Sequence, residues 1–221
     1  MKTTEVSPII FEIFSDFFRQ HVHLLVAWGY DTVKPQMKTE DEEEITDLLY
    51  QGIQQVLCLE KERWCSNYAV KNEDPISRGI RKGKKRREID LVIEFVTTKG
   101  RPQYIFEAKP LNYDKPYQRS SNYINDQAIG RFLQGEYADY TAHYPEVSML
   151  GYVLSNSIEY WCDVLKGEID KKKVELRVRN SQQDVLIIDE FPVEWISEHD
   201  RDSSDKPLMI YHILLDCKTQ A

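Results

Sequence analysis

The chain has 221 residues, 41% hydrophobic and 30% charged, with nine Gly, nine Pro and a formal net charge of −8. That length and apolar content suffice for one large domain with a real core, and they exclude collagen, low-complexity disorder and a disulfide-stapled miniprotein. The four cysteines (Cys58, Cys65, Cys162 and Cys217) form no CxxC pair, so free thiols in a reducing, cytoplasmic setting are expected.

Ser7 and Pro8 have the chemistry of an N-cap and first helical position, and Gly29 that of a stop, which predicts an N-terminal helix within residues 1–30. Its apolar stripe (Ile9, Ile10, Ile13, Phe14, Phe17, Phe18, Val22, Leu25, Val26) is interrupted by Glu12, Asp16, Arg19 and His23. It is therefore neither a signal peptide nor a membrane span. So broad a stripe is expected to be buried, against the body of the protein or in a homodimer or partner-subunit interface. A second helix starts at Thr39, with Ile45, Leu48, Leu49, Ile53, Val56 and Leu57 inward and the acidic run Glu40 to Glu44 in its first turn, where the helix dipole favours negative charge.

Strands are expected at Trp64–Val70, Ile89–Val96 and Gln103–Lys109, the last two joined by the turn Gly100-Arg101-Pro102. Between the first two lies Arg78 to Arg87, with seven basic residues and no acid. In an acidic protein this run is either a local phosphate-binding patch or a solvated loop. Residues 110–124 form a loop in which Tyr113, Lys115, Tyr117, Arg119 and Tyr123 interleave rings and charges, as in grips on single strands or flipped bases, with a plain surface loop as the competing reading. A helix follows over Asn125–Ala142, then a strand at Met149–Leu154 and a helix at Ser157–Leu165. Three more strands are expected at Val174–Val178, Val185–Phe191 and Leu208–Leu215, with the acidic stretch Glu194–Asp205 as an exposed loop. The pattern is that of a single α/β domain over 1–221, with a core over 39–155 and a C-terminal β extension over 156–221.

Asp90 interrupts an otherwise apolar strand, and Glu107 and Lys109 share one face of the next, roughly 7 Å apart by strand rise. Such charges inside apolar strands are costly unless they are paired or bind a charged ligand. In a hairpin, Asp90 and Glu107 meet near one end of the sheet. Two hard oxygen ligands and water suit Mg²⁺ or Mn²⁺, and Lys109 would orient an attacking water or stabilise developing charge. Glu44, before Leu48 on the core-facing edge of the second helix, could complete the ligand shell, with Asp41 as the alternative. The competing reading is a buried salt-bridged pair without chemistry.

Asp90 followed, after sixteen intervening residues, by Glu107-Ala108-Lys109 resembles the D…(E)xK signature of the PD-(D/E)XK nuclease superfamily. The resemblance extends over residues 39–155 and includes the order helix, three strands, helix, strand; Ile89 stands where the motif's name has Pro. It implies a restriction-endonuclease-like αβββαβ core with a mixed central sheet. It also implies a Mg²⁺- or Mn²⁺-dependent phosphodiesterase in which Asp90 and Glu107 hold the metal and Lys109 is catalytic. By the same resemblance Glu44 joins the metal site, Gln127 on the following helix joins the catalytic residues, and the setting is restriction, repair or anti-phage defence. DNA is expected as substrate rather than RNA, contacted by Arg81, Lys82, Lys84, Lys85, Arg86, Arg87, Lys115 and Arg119. No membrane partner is expected. The alternative is a catalytically inactive nucleic-acid-binding or interaction subunit with the same fold.

Overall fold

The computed structural model describes residues 8–75, 88–98, 101–135, 145–202 and 204–218. Two helices, α1 (Pro8–Val33) and α2 (Glu42–Cys58), precede three strands, β1 (Tyr68–Pro75), β2 (Glu88–Phe95) and β3 (Gln103–Leu111). Then come two short helices, α3 (Ser120–Tyr123) and α4 (Ile129–Leu133), strand β4 (Glu146–Val153) and helix α5 (Ile158–Lys171). Strands β5 (Gln183–Val185), β6 (Glu194–Arg201) and β7 (Ser204–Asp216) follow. The strands form one mixed sheet in the order β1-β2-β3-β4-β7-β6-β5. Neighbours run antiparallel from β1 to β3, parallel across β3, β4 and β7, and antiparallel again from β7 to β5. The protein is thus α/β.

Alternation along the strands feeds two cores, one on each face of the sheet. Leu91, Ile93, Tyr104, Phe106, Leu150 and Ile213 pack toward α1 and α2, whereas Val92, Ile105, Val147, Met149, Ile210 and Leu214 pack toward α3, α4 and α5. Within the described part of the α1 stripe, Phe18, Val22, Leu25 and Val26 are fully buried against α2 and the sheet, while Phe17 is exposed. Among the described residues no helix is long and apolar enough to cross a membrane. All four thiols are free, and three of them (Cys65, Cys162 and Cys217) are buried.

Gly29 does not end α1, which runs on to Val33. The glycine serves a helix crossing instead. A Cβ on Gly29 would lie 2.5 Å from Ile53 Cγ1, and one on Gly52 of α2 would lie 2.2 Å from the Gly29 carbonyl oxygen. Only two glycines let the backbones approach so closely.

The C-terminal segment departs most from expectation. It joins the same sheet: Met209–Asp216 of β7 pair with β4 along all of Glu146–Val153. Residues 174–178 form a turn with one bridge, Val178 to His199, and the strand expected over Val185–Phe191 meets β5 (Gln183–Val185) at Val185 alone. The acidic stretch is not a loop. Residues 194–201 form β6, whose Trp195, Ser197 and His199 are buried while Glu198 and Asp200 pair with Arg179 on the other face. A buried relay of hydrogen bonds makes that polar strand tolerable. His212 bonds Tyr123 through Nδ1 (3.1 Å) and Ser197 through Nε2 (2.7 Å); Ser197 also bonds His199 Nε2 (2.7 Å), whose Nδ1 meets the Leu176 carbonyl (2.7 Å). With the Tyr123 hydroxyl donating to His212, one proton per link satisfies every group in order, and burial holds both imidazoles neutral by lowering their pKa values.

Candidate active site

The site arises where two strands part. The β2–β3 ladder runs from Glu94–Gln103 to Leu91–Phe106 and stops, while β3 continues alone beside β4 to Leu111. Past the fork the Ala108 N–H has lost its ladder partner, and the Asp90 side chain replaces it: Ala108 N–H donates to Asp90 Oδ2 at 2.6 Å. Asp90 is thereby fixed at the mouth of the fork.

Three carboxylates converge there on one ammonium. Lys109 Nζ lies 2.8 Å from Glu42 Oε1, 3.1 Å from Glu107 Oε1 and 3.9 Å from Asp90 Oδ2. Arg131 of α4 donates to the same Glu107 Oε1 at 2.6 Å. Glu107 is wholly buried, Lys109 largely so, and Asp90 opens into a small cleft lined also by Glu42, Glu43, Thr46, Asp47 and Asn72.

Crowding sets the protonation. Burial, then the charge of Glu107, pushes Asp90 up to about 7, and burial raises Glu42 as well despite Lys109. Burial opposes a charge on Lys109, but Glu107, Asp90 and Glu42 outweigh it and hold the ammonium protonated with a raised pKa. Asp90 thus binds its proton more tightly in the folded chain than in the unfolded one. Its ionisation costs the fold nothing near its ordinary value of 3.8, progressively more as the pH rises to about 7, and a constant amount above that. Asp90→Asn keeps the acceptor for Ala108 and removes the charge. In EDTA at pH 8 it should stabilise the protein by about 2 kcal/mol, with the gain shrinking toward pH 4. Urea unfolding at both pH values checks this, and a gain independent of pH would contradict it.

The structure brings together Asp90, Glu107 and Lys109, but the helix acid beside them is Glu42 and not Glu44. Asp41 caps α2, accepting from the N–H groups of Glu43 and Glu44 at 3.0 and 3.2 Å, so the first turn begins at Glu42. This phase puts Glu42 on the face of the buried Ile45, Thr46 and Leu49 and leaves Glu44 exposed. Gln127 is also exposed and outside the site, because α4 starts at Ile129 and Gln127 only closes a turn onto Asn125 Oδ1 (2.8 Å). Lys115 is held by Glu40, and the Arg119 guanidinium lies 5.9 Å above the Tyr113 ring. Arg81, Lys82, Lys84, Lys85, Arg86 and Arg87 lie outside the described residues. Sequence reasoning missed Glu42 and Arg131. The seven-residue spacing from Glu42 to the core residue Leu49 was the available signal for the first; nothing in the local pattern marks the second.

Among the described residues no three Asp, Glu, His or Cys side chains are gathered as a metal-ligand set. A hard divalent cation needs less, since Mg²⁺ is usually held by one or two carboxylates and keeps several waters. Asp90 and Glu107 fit that demand. They are two carboxylates within 4 Å of the same cationic centre, crowded enough that Asp90 holds its proton more tightly than an ordinary carboxyl. The chain was compared with protein-family models, curated proteins and solved structures, and none matches.

Proposed function

We propose that the chain is a metal-dependent nuclease that hydrolyses phosphodiester bonds in DNA, with a restriction-endonuclease-like core. The observation that carries this reading is the convergence of Asp90, Glu107 and Glu42 on Lys109 at the β2–β3 fork. The run from α2 through β1, β2, β3 and α3–α4 to β4, antiparallel and then parallel, supports it as the order expected of such a core.

In this reading Asp90 and Glu107 hold Mg²⁺ or Mn²⁺, which when bound polarises a phosphodiester oxygen and acidifies a water. The chain's own groups do the rest. Ala108 N–H fixes the Asp90 carboxylate, and Arg131 of α4 fixes that of Glu107. Lys109 keeps its proton, so it serves as a cation toward the developing phosphorane charge and not as a general base. Glu42 steers the ammonium, and its raised pKa suits it to exchange a proton at the open side of the cleft.

One observation favours a second reading, a nucleic-acid-binding subunit that does not cut: the Lys109 ammonium already answers the carboxylates without a metal. Incubation of plasmid, linear and single-stranded DNA with wild type and Asp90→Ala, in Mg²⁺, Mn²⁺ or EDTA, separates the two. The nuclease cuts only with metal, and Asp90→Ala loses cutting while keeping DNA affinity. DNA binding by the wild type that is indifferent to EDTA, with no product formed, would leave the binding subunit.

A further inference from the structure

Seven large apolar side chains are exposed among the described residues, and the three tyrosines, Tyr113 (56%), Tyr117 (68%) and Tyr160 (38%), all lie at one end of the sheet. Scattered apolar residues on a surface need no explanation; rings gathered in one place do. Tyr113 and Tyr117 sit in the loop that leaves β3, and Tyr160 sits in the first turn of α5, which leaves β4. The two loops are joined: Tyr113 N–H donates to Ser155 Oγ at 2.8 Å, and the Tyr113 and Tyr160 rings meet edge to face with centroids 6.4 Å apart. The Arg119 guanidinium lies over the Tyr113 ring, and Lys218, beyond β7 at the same end, holds the Asn156 carbonyl at 2.9 Å.

This platform is tied to the candidate active site. Lys115 pairs with Glu40, and Gln118 Nε2 donates to the Glu40 carbonyl at 3.3 Å, two residues before Glu42. Tyr113 follows Lys109 by four residues, so the two lie at most about 14 Å apart along the chain. That is the length of about four stacked nucleotides.

Exposed rings set beside a cation form a surface on which a base stacks. A duplex hides its base faces and presents only phosphates and edges to such a shelf. Stacking is therefore a contact that an unpaired strand can make here and a duplex cannot. Resting on the nuclease reading, we infer that Tyr113, Tyr160 and Arg119 seat an unpaired base a few nucleotides from the scissile phosphate, so that the substrate of this site is single-stranded DNA.

The test measures binding in EDTA by fluorescence anisotropy, with labelled oligothymidine, the same oligonucleotide carrying abasic positions, and a duplex of equal length. Wild type should bind oligothymidine about tenfold more tightly than the abasic strand, as one stacked base implies. Tyr113→Ala should lose that tenfold and no longer distinguish the two strands, Tyr113→Phe should keep it, and duplex affinity should not change with either. Equal affinity for oligothymidine and abasic DNA, or a preference for duplex untouched by Tyr113→Ala, overturns the shelf. Metal-dependent cutting of duplex in the same preparations would then leave the nuclease reading standing. Absence of both cutting and binding overturns both.

Discussion

Lys109→Ala should slow metal-dependent DNA cleavage about 100- to 1000-fold, the usual loss when a positioned group facing transition-state charge is removed. The same substitution should also weaken the fold. Among the described residues Lys109 is the cation within 4 Å of Glu42, Asp90 and Glu107 together, and its removal takes that shared partner away while Arg131 stays on Glu107. Deleting one partner of a buried ion pair typically costs about 3 kcal/mol, so the variant should unfold at lower urea than wild type in EDTA at pH 8. A divalent cation then has a vacancy to fill. At roughly a hundred times its dissociation constant, Mg²⁺ should return about 2.7 kcal/mol to the variant and less to wild type, whose ammonium competes for the same oxygens. Urea unfolding of both proteins in EDTA and in Mg²⁺, at matched ionic strength, measures this directly. If the cluster is only a salt bridge, K⁺ and Mg²⁺ will act alike and the metal assignment fails, whatever cleavage does.

Two glycine-to-alanine substitutions should have opposite signs. Both sites are helical, where alanine is favoured by about 1 kcal/mol. Gly167 in α5 has nothing within 4 Å of a built Cβ, so Gly167→Ala should stabilise by about that amount. Gly52→Ala would put a methyl 2.2 Å from the Gly29 carbonyl oxygen and 2.9 Å from both its carbon and Val33 Cγ1. Two of those three atoms are backbone and cannot rotate away, so α1 and α2 must separate across a core that includes Leu25, Val26 and Ile53. A loss of about 3 kcal/mol or more is expected, at the upper end for overpacking. Equal midpoints for wild type and Gly52→Ala in urea would show that the crossing is looser than its geometry requires.

What was legible in the sequence follows from where each side chain finds its partner. Strand alternation is a local property, and it was enough to single out Asp90, Glu107 and Lys109 on adjacent strands. The phase of α2 was harder. Five consecutive acids offer no contrast, and the choice between Glu42 and Glu44 turns on whether Asp41 or Thr39 caps the helix, one hydrogen bond that composition does not register. Strand β6 was hidden for a different reason. Glu194 and His199 look solvent-seeking in isolation, yet Glu194 is buried against His23 of α1 and His199 against Ser197 and the Leu176 carbonyl. Partners so distant in the chain turn an acidic loop into a buried strand, and no local pattern contains them. Arg131 belongs to the same class, since its role exists only once α4 is set against β3.

The central position of β7 has a consequence during synthesis. It lies between β4 and β6, hydrogen-bonded on both sides, although residues 154–203 separate it in sequence from β4. At ribosomal rates that interval lasts roughly 3–10 s. For that time β4, which is buried on both faces in the finished fold, has an unpaired edge facing the cell. Another nascent copy offers the complementary strand, so crowded polysomes and overexpression favour pairing between chains over completion of the sheet within one. Slower growth or a lower temperature, by thinning the population of half-made chains, should raise soluble yield more than any change at the protein's surface.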